Sequence, residues 1–247
     1  MSHIAFDPPY VLLNRCEEAL AAHGYAVLHP DEVMRWLPAS PDDLAQLHCA
    51  WDDLPADAYL KDGGRYRRRR HSCFVVDGQA IEQVPHRAHW QPVEYNALHG
   101  GMDRWFEPMT AATLALPVWS RVLARLGEAA SALHGSRPWY VEAHPFRIDT
   151  TDGIGRPTPE GAHRDGVDMV AVFMVGRHRI KGGESRVFAS DGPSGQRFTL
   201  QHPWTLLLLD DARVIHETTP IQPLGPGEMG WRDTLVLTYR RDGFQGS

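Results

Sequence analysis

Residues 181–221 read "KGGESRVFASDGPSGQRFTLQHPWTLLLLDDARVIHETTPI". Short apolar or alternating runs are cut here by Gly-Gly, by "SDGPSG" and by a Thr-Pro, so the stretch predicts strands near 184–189, 196–201, 204–210 and 213–217 joined by turns. Outward from it, three longer runs at 139–149, 167–176 and 231–240 read the same way. They are bounded by "TTDGIGRPTPEG" (150–161) and "QPLGPGEMG" (222–230), which are loop chemistry. Many short strands with Gly/Pro loops predict a sandwich or barrel. The fold class expected is mainly β with flanking helices.

The first 135 residues have another texture. "VLLNRCEEALAAHG" (11–24) has helical apolar spacing and stops at a glycine, and "YAVLHP" follows as a short strand. Asp31 and Ser40 are expected to cap two short helices, the second with Pro41 at its first position. Residues 116–135 make the clearest helix, between Pro117 and Gly135. Residues 1–135 are therefore expected to form a helix-rich part packed on a barrel core at 136–241, all within one domain over 1–247.

Composition narrows the function. With 43% hydrophobic residues the chain can bury a large core, and a net charge of −6 argues against a general nucleic-acid or membrane binder. The longest apolar runs are too short to cross a bilayer. "MSHIAFDPPY" lacks a basic segment followed by an apolar one, so no signal peptide is expected. Cys16, Cys49 and Cys73 are widely spaced and fit reduced thiols in a cytoplasmic protein.

Within "GAHRDGVD" (161–168), His163 and Asp165 are two apart. At a strand end, residues i and i+2 point to one face, so an imidazole and a carboxylate can meet one ion. His216, in "RVIHETTPI", offers a third ligand. Two histidines and a carboxylate leave three open positions on an octahedral ion, as in non-haem Fe(II) oxygenases. Alone, H-x-D fits a hydrogen-bonded loop pair better than a ligand pair. In "WRDTLVLTYR" (231–240), Arg232 and Thr234 share a face with Val236 and Thr238. A buried arginine needs an anion, either an internal carboxylate or a bound dicarboxylate.

The ordered series "HRDG", "KGGES", "VIHETTPI" and "WRDTLVLTY", preceded by "RYRRRRHSCF" and "HWQPVEYNALHGGMDRWF", resembles the non-haem Fe(II)/2-oxoglutarate dioxygenases. Within them it is similar to the free amino-acid hydroxylases related to L-isoleucine 4-hydroxylase, over about residues 60–241. The resemblance implies a distorted double-stranded β-helix, Fe(II) on His163, Asp165 and His216, and 2-oxoglutarate held at its distal carboxylate by Arg232 with help from Thr234. It also implies O2 as co-substrate, release of succinate and CO2, and hydroxylation of an aliphatic C–H, or oxidation of a thioether, in a free L-amino acid. Two departures, Pro145 in place of a glutamine and "RDGVD" after His163, are expected near the substrate, so isoleucine is not carried over.

Substrate contacts are expected from Arg67 or Arg69 to an α-carboxylate, and from Asn96 and Asp168 to polar groups. Each has a structural alternative: a solvated basic edge, a turn asparagine, a surface aspartate. Glu142 and His144 alternate in "WYVEAHPFRI" and can face a cavity, while Arg147 and Arg177 read as ion-pair residues. The rival functions are the same chemistry on a peptide or other small metabolite, a non-catalytic ligand-binding barrel, and a metalloenzyme of another ion.

Overall fold

The computed structural model describes residues 6–246. The N-terminal elements are β1 (Tyr10–Val11), α1 (Cys16–His23), β2 (Tyr25–Leu28), α2 (Pro30–Trp36), α3 (Pro41–Gln46), β3 (Arg67–Arg69), β4 (Ser72–Asp77) and β5 (Ala80–Gln83). Two helices follow, α4 (Ala111–Leu114) and α5 (Pro117–His134). The remainder is β6 (Trp139–Asp149), β7 (Met169–His178), β8 (Ile180–Gly182), β9 (Ser185–Ala189), β10 (Gly195–Phe198), β11 (Leu206–Asp210), β12 (Val214–Thr218), β13 (Ile221–Pro223) and β14 (Trp231–Arg240).

Strand pairing sorts these into a wide sheet of nine strands ordered β1-β2-β11-β7-β14-β6-β4-β5, with β3 also on β6. A narrow sheet β10-β9-β12 faces it, and β8 and β13 form a separate ribbon. The two sheets make the double-stranded β-helix expected from the sequence. β14 lies at the centre, antiparallel to β6 and β7 over its whole length.

Side-chain alternation gives the wide sheet two chemically different faces. Val141, Ala143, Leu235, Leu237 and Tyr239 point outward into an apolar core shared with Val122, Leu123 and Leu126 of α5. The Tyr239 hydroxyl donates to the Leu123 carbonyl at 2.8 Å, tying strand to helix. The inner face is split. Toward β11, Val170, Met174, Leu207 and Leu209 pack on Val187, Phe198 and Val214 of the narrow sheet. Toward β6 it lines a polar cavity.

The N-terminal part differs from the sequence expectation. It supplies β1 to β5, five of the nine strands in the wide sheet, and is not merely a helical layer. The basic run forms β3 because its alternate residues pair across β6, Arg67 with Ile148 and Arg69 with Phe146. The expected helix at 11–24 begins only at Cys16, because Tyr10 and Val11 pair with β2 and a tight 3-10 turn intervenes. Asp31 does not cap α2; His29 does, accepting the Asp31 amide, with Pro30 at the first helical position. Ser40 caps α3 with Asp43 in a reciprocal capping box. Among the described residues, no helix is long and apolar enough to cross a membrane.

Candidate metal and cosubstrate site

Inner-face alternation places one row of each long strand in the cavity. β14 contributes Arg232, Thr234, Val236 and Thr238, and β6 contributes Glu142, His144, Phe146 and Ile148. The opposite wall is His216 and Thr218 of β12 with the connection between β6 and β7, which carries His163 and Asp165.

That connection is stitched to the narrow sheet. His163 and His216 exchange two backbone hydrogen bonds, at 3.0 and 2.9 Å, so the two histidines are cross-strand neighbours. Their rings lie 4.6 Å apart between centroids. His163 Nε2 is 3.8 Å from Asp165 Oδ1, and His216 Nε2 is 3.6 Å from Asp165 Oδ2. One ligand atom from each residue lies within 4.8 Å of the others. His163 Nδ1 donates to the Gly161 carbonyl at 3.0 Å, which leaves the Nε2 lone pair facing the shared centre. The Gly- and Pro-rich segment at 150–162 is pinned here: Gly155 bridges Ile221, and Thr158 hydrogen-bonds both backbone groups of Thr218.

Burial and the adjoining His163 push His216 down to about 3, so it is neutral and ready to ligate. Burial also opposes charge on His163, but Asp165 and Glu160 outweigh it and raise its pKa. An ion would replace this attraction by coordination. Asp211, which sequence reasoning missed, holds the loop from beneath. Its Oδ1 accepts the Asp165 amide, and its Oδ2 accepts those of Gly166 and Val167, at 2.8 to 3.1 Å. Gln91 donates to Asp165 Oδ1 at 3.2 Å, and Gln245 donates to the Asp165 and Gly166 carbonyls. Gly166 has φ +76°, and a Cβ there would sit 2.3 Å from Tyr95.

Arg232 is 4% exposed and lines the cavity, and among the described residues it has no carboxylate within ion-pair distance. Its Nε is buried without an acceptor. Asp233 points the other way and is bound by Arg147 at 2.6 and 2.8 Å, which removes the obvious internal partner. Arg177, opposite Arg232 on β7, adds a second positive charge and no anion; it is not an ion-pair residue. Burial and Arg177 pull Arg232 down to about 9. Gly182 and Gly183 adopt φ of +79° and +69°, which brings the "KGG" turn close over Arg232. A buried cation aimed into a cavity beside a two-histidine, one-carboxylate cluster fits Fe(II) with a dicarboxylate cosubstrate.

The family model described as 2OG-Fe dioxygenase matches residues 48–238. The chain belongs to the 2OG-Fe dioxygenase family. This family depends on Fe(II), 2-oxoglutarate and O2, and the residues present fit that set. A solved structure of a bsmA homolog (Mpe_A2762) from Methylobium petroleophilum PM1 is 52% identical, covers 97% of each chain and superposes with a TM-score of 0.91. IDO from Bacillus thuringiensis is similar in fold, at 16% identity, TM-score 0.74 and coverage of 95% of this chain and 100% of that one. The Fe(II)/(alpha)ketoglutarate-dependent dioxygenase TqaL gives 18% identity and a TM-score of 0.71 over 93% and 87%. No curated protein sequence matches.

The rest of this dioxygenase's cavity is basic and aromatic. Arg67 Nε donates to Asp57 at 2.7 Å. Arg69 lies between the Phe106 and Phe146 rings, 3.9 and 4.3 Å from their centroids, and donates to His144 Nδ1 at 2.6 Å. Both line the cavity. Asn96 lines it too, but its amide is spent within its own loop, donating to Gln91 and accepting from His99. Asp168 does not line the cavity: its carboxylate binds the Arg241 backbone and side chain, which removes it from the substrate set. Pro145 also points away from the cavity, with the outer-face row of β6. Its missing N–H falls where β6 changes partner from β3 to β4.

His71, His89, Glu142 and His144 form a second cluster of metal-ligating types. Glu142 Oε2 accepts from His71 Nε2 at 3.0 Å and from His89 Nδ1. Arg69 requires His144 Nδ1 to accept, so the proton is on Nε2, which faces Glu142 Oε2 at 3.7 Å. That tautomer offers no lone pair to an ion. Burial keeps the histidines neutral and would raise Glu142, but the surrounding donors outweigh it and keep the carboxylate ionised. The cluster is a hydrogen-bonded wall.

Proposed function

We propose that this dioxygenase oxidises an aliphatic C–H bond, or a thioether, of a free L-amino acid, with His163, Asp165 and His216 as the iron ligands. The observation that carries the cosubstrate assignment is Arg232, a buried guanidinium facing the cavity with no carboxylate among the described residues to balance it. It would hold the distal carboxylate of 2-oxoglutarate by paired hydrogen bonds, with the Thr234 hydroxyl beside it. Bound Fe(II) and 2-oxoglutarate supply O2 activation, with one oxygen atom going to the substrate and one to succinate as CO2 leaves. The chain's own residues orient the ligands: Gly161 fixes the tautomer of His163, Asp211 shapes the loop, and Gln91 holds one oxygen of Asp165.

A small polar substrate is supported by the cavity walls, where Arg104 offers a cation and Glu160 an anion in a space also lined by Phe146 and Val236. The protein is expected in the cytoplasm, given its three unpaired cysteines.

The test is anaerobic titration with Fe(II) and 2-oxoglutarate, then oxygen and a panel of free L-amino acids. The expected result is a visible charge-transfer band, succinate coupled to one amino acid, and a product heavier by one oxygen atom. His216→Ala should lose both band and succinate; turnover surviving that change would overturn the ligand assignment. A band with no amino acid coupled would reject the substrate class.

A further inference from the structure

We propose that Glu160 and Arg104 form a clamp for a zwitterion, Glu160 taking the α-ammonium and Arg104 the α-carboxylate of the substrate. This rests on the free amino-acid reading above and assigns the two charges that reading leaves without partners.

Glu160 lies three residues before His163, on the segment anchored by Thr158 to β12. Its side chain is 10% exposed, and Oε1 is 3.6 Å from His163 Nε2. Oε2 is buried with no donor among the described residues. A carboxylate in that state is costly unless a cation completes it. An iron held by His163, Asp165 and His216 would keep its open positions for 2-oxoglutarate and O2, which leaves Glu160 for another cation. A carboxylate beside the iron, on the cavity wall, is placed to meet a substrate ammonium.

Arg104 lies on the same cavity and is 2% exposed. Nη2 donates to the neutral Gln91 Oε1 at 2.9 Å, and Nε has no acceptor. Of the other cations of this wall, Arg67 is paired with Asp57 at 2.7 Å, and Arg69 is enclosed by the Phe106 and Phe146 rings and donates to the neutral His144. Glu160 and Arg104 feel each other's charge without touching. Glu160 and Arg104 thus bring opposite charges to the lining of one cavity, each with a buried side-chain atom that no group among the described residues satisfies. Gln91 links Arg104 to Asp165, so the substrate's carboxylate end is held in register with the iron ligands.

The experiment is calorimetric titration of the anaerobic Fe(II)·2-oxoglutarate protein. The probes are the free L-amino acid it binds best, the matching amine without the carboxylate, and the matching acid without the ammonium. Glu160→Gln is expected to weaken the amino acid and the amine by roughly 10- to 100-fold and leave the acid unchanged. Arg104→Gln should weaken the amino acid and the acid similarly and spare the amine; Arg104→Lys should recover part of the loss. Equal melting temperatures and an unchanged visible band establish that fold and iron site are intact. Wild-type affinity for the amino acid in either glutamine variant overturns the clamp, and so does an altered band in Glu160→Gln, which would give Glu160 a metal role. If no free amino acid binds the wild type, the clamp and the substrate reading fall together.

Discussion

Arg232 shows how one residue can be legible by type and still ambiguous by role. Its place on the last strand beside Thr234 fits either an internal ion pair or a bound dicarboxylate; strand alternation already turns Asp233 away, and among the described residues no other carboxylate lies within ion-pair distance. Arg232→Met keeps the packing and removes the charge. It should raise the KM for 2-oxoglutarate at least about 30-fold, as loss of a buried charged contact costs about 2–5 kcal/mol. Succinate formation against 2-oxoglutarate concentration measures this, and an unchanged KM would refute the contact. Asp211 is the contrasting case: "DD" at 210–211 reads as a turn, and nothing local marks one of the two as the support of the Asp165 loop. Asp211→Asn presents an amide where acceptor oxygens are needed. It should weaken Fe(II) binding about 10- to 100-fold, read by titration of the visible band.

At the scale of elements, seven of the nine strands from β6 to β14 lie where the sequence pattern puts them, while β8 and β13 fall in stretches that read as turn and loop, because they pair only with each other in a short ribbon. β3 was hidden: an arginine run gives no apolar alternation, since its inner face lines a cavity and its charges are met by distant carboxylates such as Asp57 and Asp149. Asp168 and Arg241 join the start of β7 to the end of β14. Burial alone would raise the Asp168 pKa, but the hydrogen bonds from Arg241 outweigh it and lower it below the unfolded value. Its contribution is therefore full above the unfolded carboxylate pKa of about 3.9 and is lost as pH falls through the lower folded value. Asp168→Asn should cost about 1 kcal/mol at neutral pH, since Arg241 is partly solvated, and the difference from wild type should close in acid unfolding curves. In the iron-site turn, Gly166→Ala meets both a φ of +76° and the Tyr95 ring, so it should destabilise the fold by about 1–3 kcal/mol and reduce the melting-temperature gain on adding metal.

Across the whole molecule, the inner faces of the two sheets are half apolar core and half charged cavity. Fe(II) and 2-oxoglutarate, each at about 100 times its Kd, should each stabilise the chain by about 2.7 kcal/mol. Each step is roughly 5–10 °C in melting temperature for a chain of this length; Arg232→Met should retain only the metal's step. The sequence by itself determined the β character of the C-terminal half, the three candidate ligands and the arginine strand. Each is written in local spacing: alternation of two, H-x-D at one strand end, a cation two residues from a hydroxyl. Tertiary structure alone decided which charges remain free. It bound Arg67 to Asp57, Asp168 to Arg241 and Asp233 to Arg147, and left Arg232, Arg104 and Glu160 facing one cavity. Those pairings join residues 10 to 86 positions apart, and a charge finds its partner through space, where strand pairing and burial, not sequence spacing, set the distance.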